Sequence, residues 1–151
     1  MTSNKLKKFL DSNKVKYVTI SHAPAYTAQE VAASAHVTGR DFAKTVIVKV
    51  NGKMAMVVEP ANTKVDFSAL RKISASNDVQ LASEFEFQDS FPECELGAMP
   101  PFGNLYNMDV YIADSLTKEK EIWFNSGSHS ELIKMSYRDF ERLVHPKRLA
   151  A

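Results

Sequence analysis

Few residues in this sequence have chemistry to offer. Lys44 stands near the head of DFAKTVIVK, residues 41–49. A lysine at the mouth of a β-rich run is either a solvated edge charge or a holder of phosphate. His129 lies in NSGSHSE, residues 125–131. Gly127 admits a left-handed backbone there, so successive amides near Gly127 and Ser128 can converge on a phosphate or a developing oxyanion. Asn-Ser-Gly-Ser is equally the composition of a plain turn. The stretch ELGAMPPFGN, residues 95–104, is both stiff and apolar. Gly97 and Gly103 let backbone come close to something, and Pro100 and Pro101 fix φ. A stiff loop loses less ordering entropy when a ligand docks. Met99 and Phe102 can then wall a pocket, or the loop can be a rigid connector packing its own apolar side chains on the core.

The remaining candidates are weaker. Cys94 stands between Glu93 and Glu95, whose charges disfavour a thiolate, so it reads as an unreactive thiol. Of the four histidines, His22 opens HAPAY, a strand-to-loop turn that can shape a cleft wall. His36 and His145 read as structural or solvated. None forms an HxH, HExxH or Cys/His metal spacing, so no metal is expected. Glu59, at the far end of the run that Lys44 opens, is as ambiguous as Lys44.

The elements that must position these residues follow from local pattern. Leu6, Phe9 and Leu10 have helical spacing after Ser3 and Asn4, with Lys5, Lys7, Lys8 and Lys14 solvated. KYVTIS, 16–21, alternates as a strand. Thr27–Glu30 is a capping box, opening a helix through Val31 and Ala35 that stops near Gly39. TVIVKVNGKMAMVVEP, 45–60, predicts a hairpin about Asn51-Gly52, closed by Pro60. Asp66 can cap a helix through Leu70 and Ile73. Ser83–Glu86 is a second capping box, for a short helix that Pro92 ends. MDVYIAD, 108–114, and KEIWFN, 120–125, are expected to pair as another hairpin through Ser115–Glu119. SELIKM, 130–135, is a further strand. Ser136 then caps a helix through Phe140 and Leu143, stopped by Pro146. Interleaved elements with antiparallel hairpins argue for one α+β domain over residues 1–151, with a mixed, mainly antiparallel sheet and flanking helices.

The totals bound the function. The chain has 151 residues, 44% hydrophobic and 25% charged, the ordinary range for one globular domain. It has no apolar run long enough for a membrane span and no signal-peptide core, and its single cysteine builds no disulfide framework. A cytoplasmic protein without a membrane partner is expected. The net charge is +1. Long nucleic acid is usually held by a basic excess, so DNA is not the expected partner, and any nucleic acid is gripped by a short end.

Taken in order, HAPAYTAQEVA, AKTVIVK, VVEPANTKVDFSALRK, GAMPPFG and NSGSHSELIKMSYRDFERLV resemble the YbaK/prolyl-tRNA synthetase editing-domain family over nearly the whole chain. The shared set is a lysine at a hairpin start, a GxxxP loop at Gly97–Pro101 followed by Phe102-Gly103, and a GSH turn at Gly127–His129. The resemblance implies hydrolysis of the ester joining a wrong, small amino acid to tRNA, often tRNA for proline, without metal or other cofactor. It implies that Lys44 places the terminal adenosine, that Gly97 to Pro101 line the pocket, and that Gly127, Ser128 and His129 border it. Amides near Gly97–Ala98 or Gly127–Ser128 would face the ester, and Ile47, Met99 and His129 would shape the acyl pocket. The partner expected is the tRNA acceptor end, with an aminoacyl-tRNA synthetase as a further candidate. Two other functions fit the same residues: a non-catalytic module binding tRNA or a synthetase, and a thiol-dependent hydrolase using Cys94.

Overall fold

Helix α1 (Asn4–Ser12) buries Leu6 and Leu10 completely, and Phe9 leans on the same core. In the computed structural model, which describes residues 4–22 and 41–149, the chain then enters β1 (Tyr17–Ser21). The capping box at Thr27–Glu30 and its helix lie outside the described residues.

Strands β2 (Ala43–Val50) and β3 (Lys53–Pro60) form the hairpin that Asn51-Gly52 asks for. The turn residues take φ of 52° and 77°, the left-handed values of a two-residue hairpin turn. That turn fixes the register and sets Lys44 opposite Glu59 and Ile47 opposite Met56.

Helix α2 (Phe67–Ser74) starts where Asp66 accepts a hydrogen bond from the Ala69 amide at 3.0 Å. A short edge strand, β4 (Val79–Leu81), adds to β2. Helix α3 (Glu84–Phe87) carries the capping box: the Glu86 amide donates to Ser83 Oγ, and the Ser83 amide to Glu86 Oε1. These caps pair amides that a helix leaves unbonded.

The second half supplies β5 (Asp109–Ile112), β6 (Glu121–Asn125), β7 (Glu131–Ser136), α4 (Tyr137–Val144) and β8 (Lys147–Arg148). Ser136 caps α4 by accepting from the Asp139 amide, and His145 leaves the helix at a φ of 53°. The strands form a five-stranded mixed sheet, β4-β2-β3-β5-β8, and a three-stranded antiparallel sheet, β1-β7-β6. A parallel bridge between Phe42 and Trp123 joins the two. The α+β reading holds.

One pairing differs from expectation. β5 and β6 are not a hairpin: β5 runs parallel to β3 and β8, whereas β6 pairs with β7. The segment between them lacks turn chemistry. It coils as a 3-10 helix, Asp114–Lys118, and sinks Leu116 fully into the core, so the chain crosses from one sheet to the other.

Alternation along these strands decides what faces what. Ala43 and Ile47 of β2, Ile122 and Phe124 of β6, and Ile133 and Met135 of β7 face a core shared with α1 and α4. Val48 of β2 lies on its other face and packs with Ala69 and Leu70 of α2.

Candidate active site

The loop at 95–104 and the turn at 125–131 meet. The Glu95 amide donates to the Gly127 carbonyl at 2.8 Å. His129 Nε2 donates to the Leu96 carbonyl at 2.6 Å, which places the ring proton on Nε2 because a carbonyl only accepts. The Ser128 hydroxyl and the His129 amide also donate to the Glu95 carboxylate. Gly97 lies against the same imidazole: a Cβ built there would come within 3.4 Å of His129 Cε1. Gly97 and Gly127 take φ of 85° and 107°, so both points of contact use backbone that favours glycine. β1 closes the rim, as the His22 amide donates to the Ser130 carbonyl at 2.9 Å.

Around this seam polar groups are buried in numbers unusual for turns: Asn125, Ser126, Ser128 and His129 are each at most 8% exposed. Ser126 Oγ donates to Glu131, and Ser128 and Ser130 share a hydroxyl contact at 2.9 Å. Asn125 Oδ1 is buried without a hydrogen-bond partner among the described residues. A buried orphan acceptor is costly unless something else satisfies it.

Lys44 is set by sheet register, opposite Glu59 in the β2–β3 hairpin. It lies two residues beyond the isolated Phe42–Trp123 bridge, on the face of β2 opposite Ala43. The Lys44 ammonium donates to the Thr63 carbonyl at 2.5 Å and lies 3.6 Å from Glu59 Oε1. Glu59 is 3% exposed, and burial pushes its pKa up against the pull of Lys44. Lys44, Glu59, Val46, Lys64, Val65, Phe67 and Leu81 line one open concavity of about 310 Å³. Pro101 and His129 are not among its lining residues. Glu59 was legible as a partner: a two-residue turn at Asn51-Gly52 sets positions 44 and 59 opposite one another. Asn125 and Ser126 carried only the signal of turn composition.

Several expected wall residues are core residues. Ile47 is 3% exposed on the face opposite Lys44, three positions away along a strand that alternates every residue. Phe102 is fully buried, its ring 5.3 Å from Phe140 and 5.5 Å from Phe124. Met99 is 4% exposed in the same core, and its sulfur accepts from the Gly97 amide. Pro100 and Pro101 are buried beside it. Gly103 serves close packing within the chain: a Cβ there would meet the Met108 carbonyl at 2.5 Å. The loop is therefore stiff because residues 98–103 are buried and anchor it, while Glu95, Leu96, Gly97 and Asn104 are exposed. The Gly97 and Ala98 amides are spent internally, on Met99 Sδ and the Glu95 carbonyl. Cys94 is half-buried, and desolvation raises its pKa, which suppresses the thiolate. Among the described residues, no group of three or more His, Cys, Asp or Glu could hold a metal ion, and no helix is long and apolar enough to cross a membrane.

The chain and its fold have known counterparts. The chain belongs to the aminoacyl-tRNA editing domain family, whose model matches residues 22–143. It is 26% identical over 142 residues to the prolyl-tRNA editing protein ProX of Acetoanaerobium sticklandii, covering 89% of this chain and 85% of that one. Its fold matches the crystal structure of hypothetical protein APE2540 with a TM-score of 0.85, at 19% identity, over 96% of this chain and 97% of that one. It also matches a candidate trans-editing enzyme for prolyl tRNA synthetase with a TM-score of 0.78, at 16% identity, over 95% and 92% of the two chains.

Proposed function

We propose that this protein acts in trans to hydrolyse the ester of a mischarged aminoacyl-tRNA, removing a small amino acid from tRNA for proline or a related tRNA. Family membership supports the reaction class, and the ProX relative supports the choice of tRNA. The observation that carries the reading is the seam itself, where four hydrogen bonds between residues 95–96 and 127–129 set a rigid polar rim.

An aminoacyl ester is already activated, so the protein mainly has to hold it and stabilise the tetrahedral oxyanion. Water adds to the carbonyl carbon, the bond to the ribose oxygen breaks, and the proton from water ends on that oxygen. The neighbouring ribose hydroxyl helps to activate the water. With the Gly97 and Ala98 amides already spent, the Gly127–Ser128 peptide units are the donors offered to the oxyanion. Lys44 places the phosphate of the terminal adenosine, and Glu59 and the Thr63 carbonyl hold its ammonium in position. His129 is a positioning residue that fastens Leu96 and Gly97 to the turn. A rigid rim suits this task, because one methylene gives only about 1–3 kcal/mol of discrimination and a yielding wall would admit the correct amino acid.

The test is deacylation of alanyl-, cysteinyl-, seryl- and threonyl-tRNA by wild type, Lys44→Ala and Cys94→Ser. Hydrolysis lost with Lys44→Ala and kept with Cys94→Ser is expected. Hydrolysis that survives Lys44→Ala overturns the lysine's role. Binding of tRNA with no hydrolysis across the panel would make the protein an adaptor instead.

A further inference from the structure

The net charge of +1 conceals a strong asymmetry. Residues 5–16 carry Lys5, Lys7, Lys8, Lys14 and Lys16 against Asp11 alone, so the rest of the chain is net −3. Lys5, Lys8, Lys14 and Lys16 are exposed. Among the described residues, the large exposed apolar side chains, Val18, Ile73, Leu81, Phe85 and Leu96, lie outside this segment.

This cationic segment is fastened to both halves of the candidate site. Lys7 Nζ lies 3.2 Å from Glu131 Oε1, two residues beyond His129. Phe9 packs edge-on against Phe102 with ring centres 6.1 Å apart. The Lys5 ammonium stands 4.9 Å above the Tyr106 ring, which packs on Phe91 at the root of the 95–104 loop.

We propose that α1 and the chain leaving it form a docking surface for the phosphate backbone of the tRNA acceptor stem, next to the rim that takes the 3′ end. The inference rests on the proposed editing reaction for the identity of the partner. Its chemistry is that of phosphate binding: solvated lysines position a nucleic-acid backbone without reading sequence. A protein partner would call for a different surface, since interface cores are depleted in lysine and enriched in aromatic residues. The net −3 remainder repels phosphate, so a tRNA is steered to this edge of the molecule.

The experiment measures binding of uncharged tRNA between 50 and 200 mM salt, for wild type and for Lys8→Glu with Lys16→Glu. Lys53→Glu with Lys72→Glu makes the same charge change at exposed positions on other elements. Each duplex phosphate contact contributes about 0.9 to the log–log salt slope. The α1 variant should bind at least tenfold more weakly at 100 mM salt, with a slope shallower by about 2, and the control should stay within about twofold of wild type. The neutral pair Lys8→Gln and Lys16→Gln should fall between them, which guards against a folding defect from charge reversal. In deacylation, the α1 variant should raise KM for full-length aminoacyl-tRNA and leave hydrolysis of a short aminoacylated 3′-terminal fragment unchanged. Equal binding by the α1 variant and wild type, an equal loss in the control, or no binding by wild type each overturns the proposal. So does an α1 variant that keeps tRNA but loses a synthetase. A wild type that binds tRNA through α1 yet hydrolyses no ester would leave this surface standing and remove the editing reaction.

Discussion

Replacing His129 with alanine removes one buried hydrogen bond, from Nε2 to the Leu96 carbonyl, and empties an imbedded ring that is only 6% exposed. The hydrogen bond contributes about 0.5–1.5 kcal/mol net, and the vacated space adds a comparable cost. The total of roughly 1–3 kcal/mol corresponds to a fall in Tm of roughly 2–12 °C for a domain of this size. The functional loss should be larger in proportion. Without the tie, Leu96 and Gly97 are released from the turn that carries the Gly127–Ser128 peptides, and a displacement near 1 Å at a reacting centre costs on the order of 10²-fold in rate. His129→Gln separates positioning from proton transfer, because its amide can donate to the same carbonyl but cannot exchange a proton near neutral pH. The assay pairs thermal unfolding with kcat/KM for alanyl-tRNA hydrolysis across pH 6–8. His129→Gln should recover most of both quantities, with the pH profile of wild type. A His129→Gln protein with wild-type Tm and no hydrolysis would mean that the imidazole does chemistry, and the positioning argument would fail. Wild-type behaviour in His129→Ala would show that the seam does not depend on this bond.

Two further expectations follow from packing and charge. Phe102→Ala should destabilise the fold by about 3–5 kcal/mol, since the ring is fully buried among Phe9, Phe124 and Phe140; denaturant unfolding measures it, and a loss below about 1 kcal/mol would contradict the anchoring of the loop. Glu86 is held at about 2, below its usual 4.5, first by the hydrogen bond from Lys49 and then by the Ser83 amide. A lowered carboxylate pKa gives stability that is present above 4.5 and lost as pH falls towards 2. Thermal melts from pH 2 to 6 should therefore show Glu86→Gln below wild type at pH 6 and converging with it near pH 2, and a gap that widens in acid would reverse the assignment.

The features read from sequence are those whose physics is local. Asn51-Gly52 alone specified the hairpin turn. Asp66, Ser83 and Ser136 announced three helix starts, because a cap needs only a side chain and an amide two or three residues on. Partner choice was not local. β5 and β6 look alike as neighbouring β-rich runs, but buried Leu116 carries the chain between sheets, and the parallel partner of β5 lies some fifty residues earlier. The two-residue strand β8 has no sequence signal apart from the neighbour it joins.

The site divides in the same way. Glycine and proline spacing marked residues 97–103 as a stiffened loop and 125–131 as a specialised turn. The sequence left open which way their side chains point. Tertiary packing turned Ile47, Met99 and Phe102 inward and spent the Gly97 and Ala98 amides on the loop itself. It also set His129 against a carbonyl 33 residues away. A turn can be recognised from its own residues, because its energy is intrinsic to them. A seam between two turns exists only once a shared core has brought both to one place.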